Sequence, residues 1–320
     1  MFNDEEIFLA YLAGVMDGDG SFSIMRKVDD PNRSPLYFPV IQLANACKKL
    51  VEMIHQRIGG SYFLRKERVL NDGSARRASH QWKLEKSNSC LPFLEKIIPY
   101  LKIKKERAEF LRDFIIANPF KRGSNKLSQD ILNARESAYL KMRQFNDKRS
   151  ITEKFTTKKC VMNSKDPIFW AYTSGMLDTD GSIALGKDHC DKHMINPRYS
   201  SHICLTMIDI RAINYIKENT KHGYVSLIKS KATTTGFCYR WAMHSIDEIS
   251  SFLKECIDYL IVKKNQALVM IDFCDNRESP KYRRNGTPME ELKFREECHQ
   301  KIKQLNKYGV YKPTLIDLEA

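Results

Sequence analysis

The feature that most constrains this chain is that it is written twice. PYLKIKKERA at 99–108 is answered by DYLIVKKNQA at 258–267, and HQWKL at 80–84 by YRWAM at 239–243, placing Trp82 and Trp241 159 residues apart. RESAYLKMRQFN at 135–146 is answered by REECHQKIKQLN at 295–306, 160 apart, and Asp19 by Asp180, 161 apart. A nearly constant offset over most of a chain marks a duplicated domain. Two copies are too few for a solenoid, so they point to a pseudo-dimer about a two-fold axis.

Each copy reads in the same order. An apolar helix opens it, at about 4–18 and 166–179. Alternating segments follow, SFSIMRKV and YFPVIQLANA in the first copy, with the period of half-buried strands. KKLVEMIHQRI and IRAINYIKENT carry apolar residues three and four apart, as an amphipathic helix requires. A second strand pair comes next, GGSYFLRKERV with ASHQWKLEK across an NDGS turn, and YVSLIKSKA with GFCYRWAMH in the second copy. Further helices are expected from 87 and 245, from about 102 and 261, and near 128–146 and 288–306. In the last of these, Thr287 reads as N-cap, Pro288 as the first helical residue and Glu290 as the other half of a capping box. The fold class is α+β. The chain divides into one domain at 1–147, a polar linker at 148–165 and a second domain at 166–320.

Charge bounds the partner. Lys and Arg number 53 against 39 Asp and Glu, a net +14, and a surplus this large favours a polyanion, most often nucleic acid. It is uneven: residues 1–160 carry net +11 and 161–320 net +3. The strands carry basic residues among Tyr, Gln, Ser and Asn: Arg26, Arg65, Arg68, Arg76, Lys83, Lys187, Lys229 and Arg240. A sheet packed on helices by one face leaves the other free, and a β-ribbon fits a DNA major groove. The nine cysteines show no C-x-x-C pairing, and MFNDEEIF lacks the positive start of a secretory signal, so they read as reduced thiols in an intracellular setting. No apolar run approaches the ~20 residues of a membrane span.

The opening helices end strangely. LAYLAGVMDGDGSF at 9–22 and WAYTSGMLDTDGSI at 170–183 place paired aspartates at a helix C-terminus, the negative end of the macrodipole. Each helix also carries small residues four apart, Ala10 with Gly14 and Ala171 with Gly175, a pattern that lets two backbones approach closely. If the two helices cross at the pseudo-two-fold, Asp17, Asp19, Asp178 and Asp180 converge. Oxygen ligands without nearby His or Cys favour a hard cation, Mg²⁺ over Zn²⁺. HCDKH at 189–193 crowds its ligands into five residues with no partner pair, so it reads as a DNA-contacting loop rather than a zinc site. Metal-assisted phosphodiester cleavage, one centre per DNA strand, is the implied chemistry.

LAGVMDGDG at 12–20 and TSGMLDTDG at 173–181 resemble the signature of the LAGLIDADG homing endonucleases, and the resemblance covers about residues 5–275. It implies a monomeric, double-motif enzyme of two αββαββα units whose antiparallel sheets form a saddle over a long asymmetric target. It makes Asp19 and Asp180 the ligands of divalent metal, with Asp17, Asp178, Gly20 and Gly181 supporting the motif. It assigns Gln42 to orienting water near the metal, and Lys104 and Lys263 to stabilising charge at the cleavage centres. The counterpart of Gln42 is Cys204, a poor water-orienting group, so two inequivalent centres are expected. Three functions fit the scaffold: a site-specific double-strand endonuclease encoded in an intron, an RNA-binding splicing maturase acting on intron RNA, and a catalytically dead DNA-binding module. An organelle and a bacterial or archaeal cytoplasm are equally open as locations.

Overall fold

The computed structural model describes residues 4–28, 34–69, 75–76, 78–119, 127–147, 160, 162–188, 196–230, 236–277 and 287–308. The first unit runs α1 (Glu5–Gly18), β1 (Gly20–Lys27), β2 (Leu36–Asn45), α2 (Lys48–Ile58), β3 (Ser61–Arg65), the short β4 (Arg68–Val69) and β5 (Ala75–Arg76), β6 (Ser79–Leu84), α3 (Ser87–Ile97), α4 (Lys105–Ala117) and α5 (Gln129–Asp147). The second repeats it as α6 (Pro167–Asp180), β7 (Gly181–Asp188), β8 (Arg198–Met207), α7 (Ile210–Asn219), β9 (Tyr224–Lys229), β10 (Phe237–Met243), α8 (Ile246–Cys256), α9 (Lys264–Asn276) and α10 (Met289–Tyr308). Each unit forms one four-stranded antiparallel sheet, in the orders β1-β2-β6-β3 and β7-β8-β10-β9. This is the duplicated α+β architecture that the repeat requires.

In both units the strands bury one side against helices. Phe22, Ile24, Ile41, Leu43, Trp82 and Leu84 share that side in the first sheet, and Ile183, Leu185, Ile203, Leu205 and Trp241 in the second. The two tryptophans are equivalent core residues. Trp82 Nε1 donates to the Gly59 carbonyl at 2.7 Å and Trp241 Nε1 to that of His222 at 3.3 Å, so neither buried N–H is orphaned.

Helices α1 and α6 hold the units together. Both are buried almost all round, from Phe8 to Asp17 and from Phe169 to Asp178, which explains their weak amphipathicity in sequence. Asp4 and Asp166 cap their N-termini, accepting from the backbone N–H of Glu6 and Ile168. The pair packs through its glycines. A Cβ on Gly14 would stand 2.2 Å from the Tyr172 carbonyl oxygen, and one on Gly175 would stand 2.2 Å from that of Tyr11. The small-residue spacing thus does what it suggests: backbone lies on backbone.

Some boundaries differ from the sequence reading. The helices expected from about 102 and 261 begin at Lys105 and Lys264, because the preceding backbone N–H groups turn toward aspartates. The strand expected through Val69 stops at Arg65 and resumes as β4. Helix α10 starts at Met289, one residue past Pro288, whose carbonyl accepts from Leu292 N. The NDGS turn, most of the linker and the HCDKH segment lie outside the described residues. The end of the linker docks on the second unit: Ser164 N donates to the Asn219 carbonyl at 2.8 Å. Among the described residues no cysteine is in a disulfide, and no helix is long and apolar enough to cross a membrane.

Candidate active site at the crossed helix ends

The four motif aspartates divide into two kinds. Asp17 and Asp178 are buried and fully engaged. Asp17 Oδ2 accepts from the backbone N–H of Lys102 at 2.7 Å and Ile103 at 3.0 Å, and Oδ1 from Lys104 N at 2.8 Å. Asp178 takes the equivalent donors Ile261 N (2.8 Å), Val262 N (3.1 Å) and Lys263 N (2.8 Å). Each carboxylate therefore sits where α4 or α9 begins, using that helix's free N–H groups and positive end to offset the unfavourable end of its own helix. A fourth donor crosses the pseudo-two-fold: Tyr172 OH reaches Asp17 Oδ2, and Tyr11 OH reaches Asp178 Oδ2, each at 2.8 Å. Burial first, then the facing carboxylate, raises both tyrosine pKa values, so the hydroxyls stay protonated donors.

Asp19 and Asp180 are the opposite case. They end α1 and α6 with their side chains open to solvent. Crowding by the surrounding protein raises both carboxyl pKa values; for Asp180 the charge of Asp19 raises it further, while Lys104 and Lys263 pull both down. The two acids are thus neighbours in one field, although they come from different units. Close by, a Cβ on Gly18 would meet Thr179 Oγ1 at 2.1 Å and Asp180 Oδ2 at 3.2 Å. The bare Gly18 of DGDG leaves the room that the threonine of DTDG fills.

The lysines complete the floor. Lys104 Nζ donates to the carbonyls of Met16 (2.9 Å), Gly18 (2.8 Å) and Gly20 (2.7 Å), capping the C-terminus of α1. Lys263 Nζ does the same for α6 through the carbonyls of Asp178 and Thr179. Burial lowers both ammonium pKa values, that of Lys104 to about 8; Asp17 opposes the shift at Lys104 and Asp178 at Lys263, with Asp19 and Asp180 opposing both. Gly20 and Gly181 open β1 and β7 directly against Met16 and Leu177, where any side chain would collide. Two exposed carboxylates and no His or Cys form a hard-oxygen donor set. Among the described residues no group of three or more His, Cys, Asp or Glu gathers, so a cation here would take its remaining oxygens from substrate and water.

With this geometry in view, comparison with solved structures is decisive for the fold. I-GzeII, a LAGLIDADG homing endonuclease in complex with its DNA target, superposes with a TM-score of 0.64 at 14% identity, covering 91% of this chain and 97% of that one. I-SmaMI bound to uncleaved DNA in the presence of calcium gives 0.61 at 12% identity, covering 91% and 97%. I-CpaMI bound to uncleaved DNA gives 0.58 at 15%, covering 96% and 99%. This chain has the LAGLIDADG homing endonuclease fold. No protein-family model and no curated protein matches its sequence.

The LAGLIDADG fold also sorts the strand residues. Alternation from Gly20 and Gly181 puts Ser21 and Ser182 on the open sides of the sheets, away from the helices. In register with them, Gln42 lies between Ser21 and Lys83, and Cys204 between Ser182 and Ala242, so the two are true counterparts. The amide that reaches Asp19, however, is that of Asn45: its Nδ2 donates to Asp19 Oδ2 at 2.8 Å while its Oδ1 accepts from Cys47 N. Three residues beyond Cys204, as Asn45 is beyond Gln42, stands Met207, with no amide to offer. The two helix ends differ at this pair. The signal in sequence was position: Asn45 is the last residue of β2, level with the helix ends.

Of the basic strand residues, Arg65, Lys83 and Arg240 lie on the open sides, Lys83 paired to Glu85. Arg26 and Lys187 do not. They share parity with Phe22 and Ile183 on the helix sides, and each pairs with a glutamate of its unit's last helix, Arg26 with Glu136 at 3.3 Å and Lys187 with Glu296 at 2.7 Å. Tyr37 and Tyr199 bond the same two glutamates. Lys229 falls on the parity of Val225 and Leu227, at the exposed end of β9. Arg68 and Arg76 are register partners in the β4–β5 pair. The open sides also hold Lys27, Gln81, Arg198, His202 and Thr206, which parity alone could have found.

Proposed function

We propose that the chain is a site-specific DNA endonuclease of the homing type, making a Mg²⁺-dependent double-strand break in a long asymmetric target, as an intron-encoded monomer. The observation that carries this reading is the convergence of Asp19 and Asp180 at the crossed ends of α1 and α6, each beside a half-buried lysine. The units at 1–147 and 166–320, joined by 148–165, would each grip half of the site, with Arg65, Lys83, Arg240 and the β4–β5 arginines among the contacts to DNA.

Asp19 and Asp180 would hold the divalent cations. When bound, such an ion would supply Lewis acidity toward the scissile phosphate and lower the pKa of an attacking water. The chain's own groups do the rest. Lys104 and Lys263 place positive charge beneath the site where the phosphorane's negative charge develops. Asn45 fixes the rotamer of Asp19. Asp17 and Asp178 hold the lysine-bearing turns against the helix ends.

A second reading, an RNA-binding splicing maturase, is favoured by Cys204 and Met207, which leave the second centre without a polar orienting group. Selection from a randomised DNA library for Mg²⁺-dependent double-strand cleavage distinguishes the two. The nuclease reading expects a discrete target, with Asp19→Asn and Asp180→Asn each abolishing the double-strand break. Absence of cleavage by the parent protein, together with tight binding to a structured intron RNA, would select the maturase.

A further inference from the structure

Each buried aspartate has three donors from its own unit and one from the other. The three are the backbone N–H groups of 102–104 or 261–263; the fourth is a tyrosine hydroxyl from the opposite opening helix. The turns so held are the ones that carry Lys104 and Lys263, and each lysine rests its ammonium on the last carbonyls of the helix that the aspartate ends. A hydroxyl on unit one is therefore two bonds from the lysine of unit two, and the reverse holds across the pseudo-two-fold. Tyr11 and Tyr172 are both fully buried, and neither can reach a DNA substrate.

We infer that Tyr11 and Tyr172 are crossed positioning residues: each sets the lysine-bearing turn of the other unit, so that cleavage of each DNA strand depends on a hydroxyl supplied by the opposite half of the chain. The inference rests on the nuclease reading above. It gives the tyrosines a purpose that packing alone does not. A phenylalanine would fill the same volume, but it leaves a buried carboxylate oxygen short of one donor, an asymmetric penalty that falls on Asp178 or Asp17 alone.

The test uses the full chain and its selected target, labelled separately on the two strands. Tyr11→Phe, Tyr172→Phe and the double variant are compared with the parent for single-turnover nicking of each strand, DNA affinity without divalent cation, and thermal unfolding. Each single variant is expected to slow one strand by about three- to tenfold, the two variants slowing opposite strands, with DNA affinity unchanged; the double variant slows both. A merely structural role would slow both strands together and weaken binding. Equal slowing of the two strands, slowing of the same strand by both variants, or no slowing overturns the inference. Should one variant fail to fold, the mirror variant reads the strand bias by itself. A parent that cuts neither strand of any DNA overturns the nuclease reading, and this inference with it.

Discussion

Replacing Gly14 by alanine tests the feature on which the whole arrangement depends. The added carbon would stand 2.2 Å from the Tyr172 carbonyl oxygen and 2.9 Å from Met176 N, where ordinary contact begins at 3.4 Å. Both neighbours are backbone atoms inside a buried helix, so no side chain can swing away. Helices α1 and α6 would have to part by about 1 Å, in an interior packed too densely to absorb it. Overpacking commonly costs ~1–3 kcal/mol, and a clash with rigid backbone belongs at or above the top of that range. Parting the helices also stretches both tyrosine–aspartate bonds. A loss of ~3 kcal/mol corresponds to a fall in Tm of roughly 4–5 °C for a chain of this size, at about 2.1 cal/mol/K of unfolding entropy per residue. Gly186→Ala serves as the control, since its Cβ would meet at close range only Ser200 Oγ, which can rotate. Calorimetry or thermal circular dichroism on both variants reads the difference. A Gly14→Ala protein melting within about 2 °C of the parent would refute the reasoning.

Asn45→Ala should slow one strand's cleavage by about tenfold while Met207→Ala leaves both nearly unchanged, measured as strand-specific nicking rates, because of these two side chains Asn45 alone has an amide to bond Asp19. Glu296, bonded by Gln300, Lys187 and Tyr199, has its pKa lowered from 4.5 to about 2. A carboxyl depressed in the folded state contributes stability above its ordinary pKa and loses it as pH falls toward the folded value. Unfolding midpoints followed from pH 6 to pH 2 should therefore fall less steeply for Glu296→Gln than for the parent.

Much of this was legible in the sequence, and the reasons are specific. The constant offset fixed the duplication, and small residues at 10, 14, 171 and 175 predicted the helix crossing that Gly14 and Gly175 make. Strand and helix order followed from periodicity because the elements are long and the faces are cleanly divided. The basic residues are harder to place from sequence. Arg26 and Lys187 look like surface charges in a polar strand, but parity counted from Gly20 and Gly181 puts them on the helix sides, where Glu136 and Glu296 take them up. Those glutamates lie over a hundred residues downstream, beyond any local pattern. The resemblance assigns Gln42 to orienting water, while direct contact with Asp19 depends on height along the strand and is made by Asn45. The resemblance marks Asp17 and Asp178 as supporting residues, but most of their partners are invisible in sequence, since three of each one's donors are backbone groups that nearly any sequence at 102–104 and 261–263 would supply.

The close fit of Gly18 against Thr179 bears on what the two halves could become if separated. Two copies of the second half would bring threonine to face threonine at the helix ends, each side chain claiming the space that glycine now leaves. Two copies of the first would set glycine against glycine and leave a gap beside the acids. The duplication has therefore passed beyond simple repetition at this point. One half has become the mould and the other the cast, and a pair of like halves would lose that fit.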